Sequence, residues 1–216
     1  MNFLKKLFAK DSNDSNKARQ LNQPQDLLSN DIIVLSDNFA LPEILRQQQF
    51  QVSNINSHEF EHALITEWAL TGKSNETVYL SVERGAQPFL KFSYRIEEQD
   101  VASLFNLDDF AQIFSEDADA LLTRQQDSPR TSGWTCEQYQ QTVAAQMGYF
   151  HRKDCRAIAP SEFEGEDAGE VFELYSLRGN DDQYAIDIQI WQDGDTDVFV
   201  NIYRPVSDIK EYYPGS

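Results

Sequence analysis

The residues of this chain best placed to do chemistry are His58-Glu59-Phe60-Glu61-His62. Two imidazoles four positions apart with a glutamate between them match the string in which both histidines bind zinc and the glutamate acts as base in a hydrolase. The chemistry depends on the backbone. On a helix, residues four apart are offset by about 6 Å and can share an ion whose ligand bonds are about 2 Å. On a strand the offset is about 13 Å, too far for one zinc. Phe60, Ala63, Leu64 and Trp68 have helical spacing, whereas charged Glu61, at a point where a protease helix would pack against its core, and β-branched Ile65 and Thr66 stand against a helix. Residues 58–70 therefore read as a strand. The leading expectation is a scaffold with no catalytic residue, metal or cofactor, and the alternative is a zinc-dependent hydrolase using His58, Glu59 and His62.

Other groups that could react are scattered. Acidic clusters occur at Glu162, Glu164, Glu166 and Asp167, and again at Asp181, Asp182, Asp193, Asp195 and Asp197. The last three, with Gly194, have the spacing of part of a calcium loop but lack its glycine position and closing glutamate, and hairpin turns share this composition. His151 and Cys155 would not meet on a strand, although Arg152, Lys153 and Arg156 could lower a nearby thiol pKa. No phosphate-cradling glycine loop, nucleophile elbow or dinucleotide fingerprint is present.

The elements that must position these residues come from an acidic chain. Among 216 residues, 18 basic and 36 acidic side chains leave a formal charge of −18, which repels a nucleic-acid backbone. The 40% hydrophobic content suffices for a sizeable core without disulfides, and the two cysteines, Cys136 and Cys155, read as reduced thiols of a cytoplasmic protein. No window of about 18 apolar residues signals a membrane span. Five basic residues against two acidic ones give residues 1–20 a net charge of +3, which leaves −21 on the remainder.

On a helix, Met1, Phe3, Leu4, Leu7 and Phe8 fall on one side and Lys5, Lys6 and Lys10 on the other. This stripe, centred on Phe3, Leu4, Lys5, Lys6, Leu7 and Phe8, reads either as an anchor for an anionic membrane or a partner's groove, or as a helix folded back on the acidic body. Asp11 to Gln25 is too polar to repay ordering and reads as a linker.

Beyond it, Ile32-Ile33-Val34-Leu35 reads as a strand, Leu41, Pro42, Ile44 and Leu45 as a helix, and Phe50, Val52 and Ile55 as a strand. Three strand-like segments follow, with turns at Gly72 and Gly85, in which Val78, Leu80 and Val82 alternate with Tyr79, Ser81 and Glu83 as in a sheet with one buried and one wet face. A second block resembles the first. Phe172 to Gly179, Tyr184 to Trp191 and Val198 to Arg204 repeat the order, with turns at Gly179 and Gly194 and a closing Tyr203-Arg204 to match Tyr94-Arg95. A helix predicted over Thr135 to Met147 parallels the Leu41 helix. Either a duplicated unit or the shared demands of any two amphipathic meanders produces this pattern. Between the blocks, Val101 to Leu122 has helical spacing dotted with acids, and Arg124 to Gly133 reads as a loop.

The expected fold is α+β and β-rich: two antiparallel β-meander units, each preceded by a helix and joined by a helical linker, related by a pseudo-twofold axis if duplicated. The boundaries are 1–25 for the basic segment and linker, 26–99 for the first unit, 100–130 for the helical linker and 131–216 for the second unit. From Asp31 to about Ile96, above all in Glu67-Trp68-Ala69-Leu70 and Tyr79-Leu80-Ser81-Val82-Glu83, the chain resembles the bacterial domain-of-unknown-function 4178 family of β-rich modules. That resemblance implies no activity and transfers no catalytic residue; it implies a setting beside membrane-stress proteins. The functional expectation is a non-enzymatic cytoplasmic binding or adaptor protein, with a protein partner, no nucleic acid, and peripheral contact of residues 1–10 with the anionic inner face of the membrane.

Overall fold

A two-residue period in side-chain polarity runs through most of this chain, and a pleated backbone turns such a period into two chemically different faces. The computed structural model describes residues 19–83, 85, 87–115, 119–160 and 169–215. Its strands are β1 (Ile32–Leu35), β2 (Gln49–Phe60), β3 (Ala63–Thr71), β4 (Thr77–Glu83), β5 (Phe89–Ile96), β6 (Leu121–Thr123), β7 (Gln138–His151), β8 (Glu170–Gly179), β9 (Tyr184–Trp191), β10 (Thr196–Pro205) and β11 (Ile209–Tyr213). Two short helices, α1 (Glu98–Leu104) and α2 (Leu107–Ala111), lie between β5 and β6. Asn106 caps α2 by accepting from the backbone N–H groups of Asp108 and Asp109.

All strands belong to one antiparallel sheet, ordered β11-β1-β2-β3-β4-β5-β10-β9-β8-β7-β6, and it closes on itself where β2 pairs with β7. The result is an eight-stranded barrel from β2 round to β7, with β1 and β11 continuing from β2 and β6 from β7. The four-stranded meanders β2–β5 and β7–β10 meet edge to edge at both margins, β5 against β10 and β2 against β7. Closure is strongly staggered. On β7, β6 pairs with Gln138–Gln140 while β2 pairs with Tyr149–His151; on β2, β1 pairs with Gln49–Gln51 while β7 pairs with Ser57–Glu59. A large stagger tilts the strands and widens the barrel, and bulges at Val52/Asn54 and between Gln141 and Gln146 bend the two seam strands.

The apolar alternates point outward and are covered by the chain itself. Leu70, Leu80, Phe92, Ile186, Ile188 and Val200 are fully buried. They belong to a continuous core with Leu27, Leu41, Leu45, Val101, Leu104, Phe105, Ile113 and Trp134 from the connecting segments. Trp68 Nε1 donates to the Leu27 carbonyl at 3.2 Å, Trp134 stacks on Tyr94 at 5.4 Å, and Phe105 meets the edge of Tyr139 at 5.9 Å. Burying a side chain of this size contributes about 1.5–3 kcal/mol, so this covered exterior is the main stabilising layer.

The α+β expectation is corrected. Of the described residues 49% are strand and 11% helical, and they form a barrel rather than two helix-preceded meanders with a helical linker. Thr135 to Met147 is not a helix: from Gln138 onward it is the first part of β7, which pairs with β8 and absorbs its irregular spacing in register shifts between Gln141 and Gln146. Leu41, Ile44 and Leu45 lie in turns ending at Gln47, whose φ of 58° stops a right-handed helix. In the linker, Leu121 and Leu122 belong to β6, and the helical spacing upstream yields only α1, α2 and a single 3-10 turn at Gln112–Phe114. The anchor residues Phe3, Leu4, Lys5, Lys6, Leu7 and Phe8 lie outside the described residues, as do Glu162, Glu164, Glu166 and Asp167. Among the described residues no helix is long and apolar enough to cross a membrane.

Candidate functional site

The polar alternates, which the sequence assigns to a wet sheet face, point into the barrel. They line an open cavity of about 840 Å³ to which all eight barrel strands contribute, from Asn54 on β2 to Phe150 on β7. A smaller chamber of about 70 Å³ shares His58, Glu67, Gln189 and Phe199 with it and reaches Lys91 and Asp187. The rim is exposed and carries Arg95, Arg152, Glu170, Asp193 and Asp195, whereas at the floor Asn56 and His58 are buried and Glu67 is half-buried.

The floor is organised around Glu67. Asn56 Nδ2 donates to Glu67 Oε1 at 3.0 Å, His58 Nε2 lies 3.2 Å from Oε2, and Asn54 Nδ2 orients the Asn56 amide at 2.7 Å. Burial opposes the charge on Glu67, but His58, the Asn56 amide and the field of Lys91 outweigh it and hold the carboxyl below its usual range. Lys91 forms an ion pair with Asp187, which also accepts from Ser176 Oγ at 2.6 Å. Burial alone would discharge both members of this pair; their mutual attraction instead raises the ammonium and lowers the carboxyl. The Asn201 amide is buried beside Asp187, with neither polar atom in a hydrogen bond of normal geometry.

Aromatic rings form the walls. Phe150 and Phe172 pack against Trp191 at 5.6 and 5.4 Å, and Tyr79 meets Phe199 edge-on at 5.7 Å. Asp197 fixes the orientation of Trp191 by accepting from its Nε1 at 3.0 Å, and takes Arg95 Nη1 at 3.0 Å on its other oxygen. Arg152 grips Glu170 through two nitrogens, at 2.8 and 3.1 Å. Burial and the charge of Glu67 raise the Tyr79 phenol, so it stays neutral.

The structure separates the sequence-predicted site residues. His58 sits in the lumen with its side chain 10% exposed, whereas His62 is in the β2–β3 turn, 86% exposed beside Glu61. Glu59 projects from the opposite face of β2 and meets His151 Nε2 at 2.9 Å, bracing the seam. Among the described residues no three His, Cys, Asp or Glu side chains are grouped to hold a metal. Asp193 and Asp195 lie in the β9–β10 turn, where Gly194 takes a φ of 93° and Asp195 N–H donates to Asp193 Oδ1 at 3.1 Å, while Asp197 is already on β10. Cys155 and Cys136 are buried free thiols; Cys155 N–H donates to Ser57 Oγ at 3.0 Å.

Reading the sequence missed Glu67, Lys91, Asp187 and Trp191 as site residues. One signal could have found them: Tyr79, Phe150, Trp191 and Phe199 occupy the polar series, and a solvent-washed face has little use for a ring at those positions. These features define a wide antiparallel barrel with a charged floor and aromatic walls. No protein-family model, curated protein or solved structure matches this chain.

Proposed function

We propose that this protein is a non-enzymatic binding protein whose barrel lumen receives a small molecule. The observation that carries the reading is the cavity of about 840 Å³, built by all eight strands and open to solvent. Its size lies in the range of small-ligand sites, roughly 300–1,000 Å³, and barrels of this strand number have room for one small ligand. Charged and amide groups at the floor supply orientation, and the rings supply apolar contact. His58 and His151 each direct Nε2 at a glutamate, and no hydroxyl or thiol is hydrogen-bonded to either ring among the described residues, which supports binding over nucleophilic catalysis.

Titration with the neutral solvatochromic dye Prodan tests this reading. One dye per chain should bind saturably, and Ala69→Phe, which fills the wall between β2 and β4, should abolish binding with the fold intact by circular dichroism. Gln189→Trp is a second blocking variant should the first fail to fold. Absence of saturable dye binding, or binding that survives both blocked lumens, would remove the proposal.

A further inference from the structure

We propose that the lumen selects small organic cations, an amine or ammonium on an apolar or aromatic body, with Glu67 as the counter-ion at its floor. This rests on the lumen being a ligand site and adds the chemistry of the ligand. Five carboxylates line the large cavity, those of Glu67, Glu170, Asp193, Asp195 and Asp197, against the two guanidiniums of Arg95 and Arg152. Both guanidiniums are already engaged, Arg95 by Asp197 and Arg152 by Glu170. In the inner chamber the Lys91 ammonium is engaged by Asp187. An anionic ligand would therefore find these cations occupied and a surplus of negative charge around them.

Glu67 stands apart from the other four carboxylates as the least exposed, its side chain 16% exposed against 26% for Asp197 and 52% for Glu170, with Asp193 and Asp195 on the open rim. Each of its oxygens accepts one hydrogen bond, from Asn56 and from His58, and a carboxylate offers roughly four acceptor positions. Capacity remains for an ammonium donor at the cavity floor. Trp191 and Phe150 line the same cavity, as do Tyr79 and Phe199, and an aromatic face attracts a desolvated cation through its negative quadrupole. The formal charge of −18 over the whole chain adds a long-range pull on cations toward the protein.

The test uses the full chain and displacement of Prodan by three probes that share a phenyl body and differ in head group: phenethylammonium, phenethyl alcohol and phenylacetate. Phenethylammonium should displace the dye at a concentration on the order of tenfold or more below that of the alcohol, as one charge-assisted hydrogen bond provides, and phenylacetate should be weakest. Glu67→Gln should bring the amine to the level of the alcohol. The wild-type series stands without the variant, so a misfolded Glu67→Gln does not decide the matter. Equal or tighter displacement by the alcohol or the acetate, no displacement by the amine, or amine preference persisting in folded Glu67→Gln would overturn the inference. Those results with dye still bound in the lumen leave the ligand-site reading standing, whereas a chain that takes up no dye loses both.

Discussion

Lys91 on β5 pairs with Asp187 on β9 across the intervening strand β10, inside the barrel. Neither charge is free in water, so each depends on the other. Lys91→Met leaves the carboxylate buried and unpaired and should cost about 3–5 kcal/mol in urea unfolding. Lys91→Met with Asp187→Leu should recover most of that loss, because apolar replacement of both partners removes the desolvation penalty together with the attraction. A single variant as stable as the parent would show that the pair is solvated.

Acid should weaken the fold through Glu67 and Asp187. Both carboxyls are held below their ordinary values, so as pH falls the unfolded chain takes up protons first. The stability they contribute is complete above about pH 5 and is lost as pH drops through the folded-state values. Melting temperature measured from neutral pH downward should fall in this window, and Glu67→Gln should flatten the curve.

Alkali acts through the phenols. Burial pushes Tyr203 and Tyr212 up to about 12. Stability from these groups is full below pH 10, the ordinary tyrosine value, and declines between there and about 12 as the unfolded chain ionises first. Phenolate absorbance should lag that of a denatured control across this interval.

At Gly148 on β7, an added Cβ would lie 2.6 Å from the Phe172 ring and 2.8 Å from Phe60. Gly148→Ala should therefore cost about 1–3 kcal/mol by overpacking. It should also change Trp191 emission, because Phe172 packs on that indole. Unchanged stability and spectrum would mean that the aromatic wall yields freely.

The two histidines of the His-Glu-Phe-Glu-His string should behave unlike each other. His62→Ala, in an exposed turn, should alter stability by no more than about 0.5 kcal/mol. His58→Ala removes a partner of half-buried Glu67 and should cost about 1–3 kcal/mol. Equal loss of bound zinc in both variants would restore the hydrolase reading.

Strand positions in both blocks were legible because Val78-Leu80-Val82 and Ile186-Ile188-Ile190 carry the strand period in plain view. Closure was not, since nothing local in Ser57-His58-Glu59 announces Tyr149-Phe150-His151 as its partner. Val143 and Met147 have helical spacing, and only pairing with β8, with a register shift between them that puts them on opposite faces, makes this segment a strand. Glu67 stood in plain view in Glu67-Trp68-Ala69-Leu70 but could not be recognised as facing a lumen until a cylinder gave its polar face an inside. For the same reason the aromatic alternates had no evident use before the lumen existed.

Three residue pairs clasp the ring, and the contact between Glu59 and His151 spans 92 positions of sequence. Every other barrel margin is longer, so this hoop is the last to zip during folding and the first to part. A molecule released there becomes an unrolled ribbon with β2 and β7 as bare edges, free to capture another copy. His58 of β2 and Phe150 of β7 both line the cavity, so a molecule held against the two would double as a rivet that keeps the ribbon rolled.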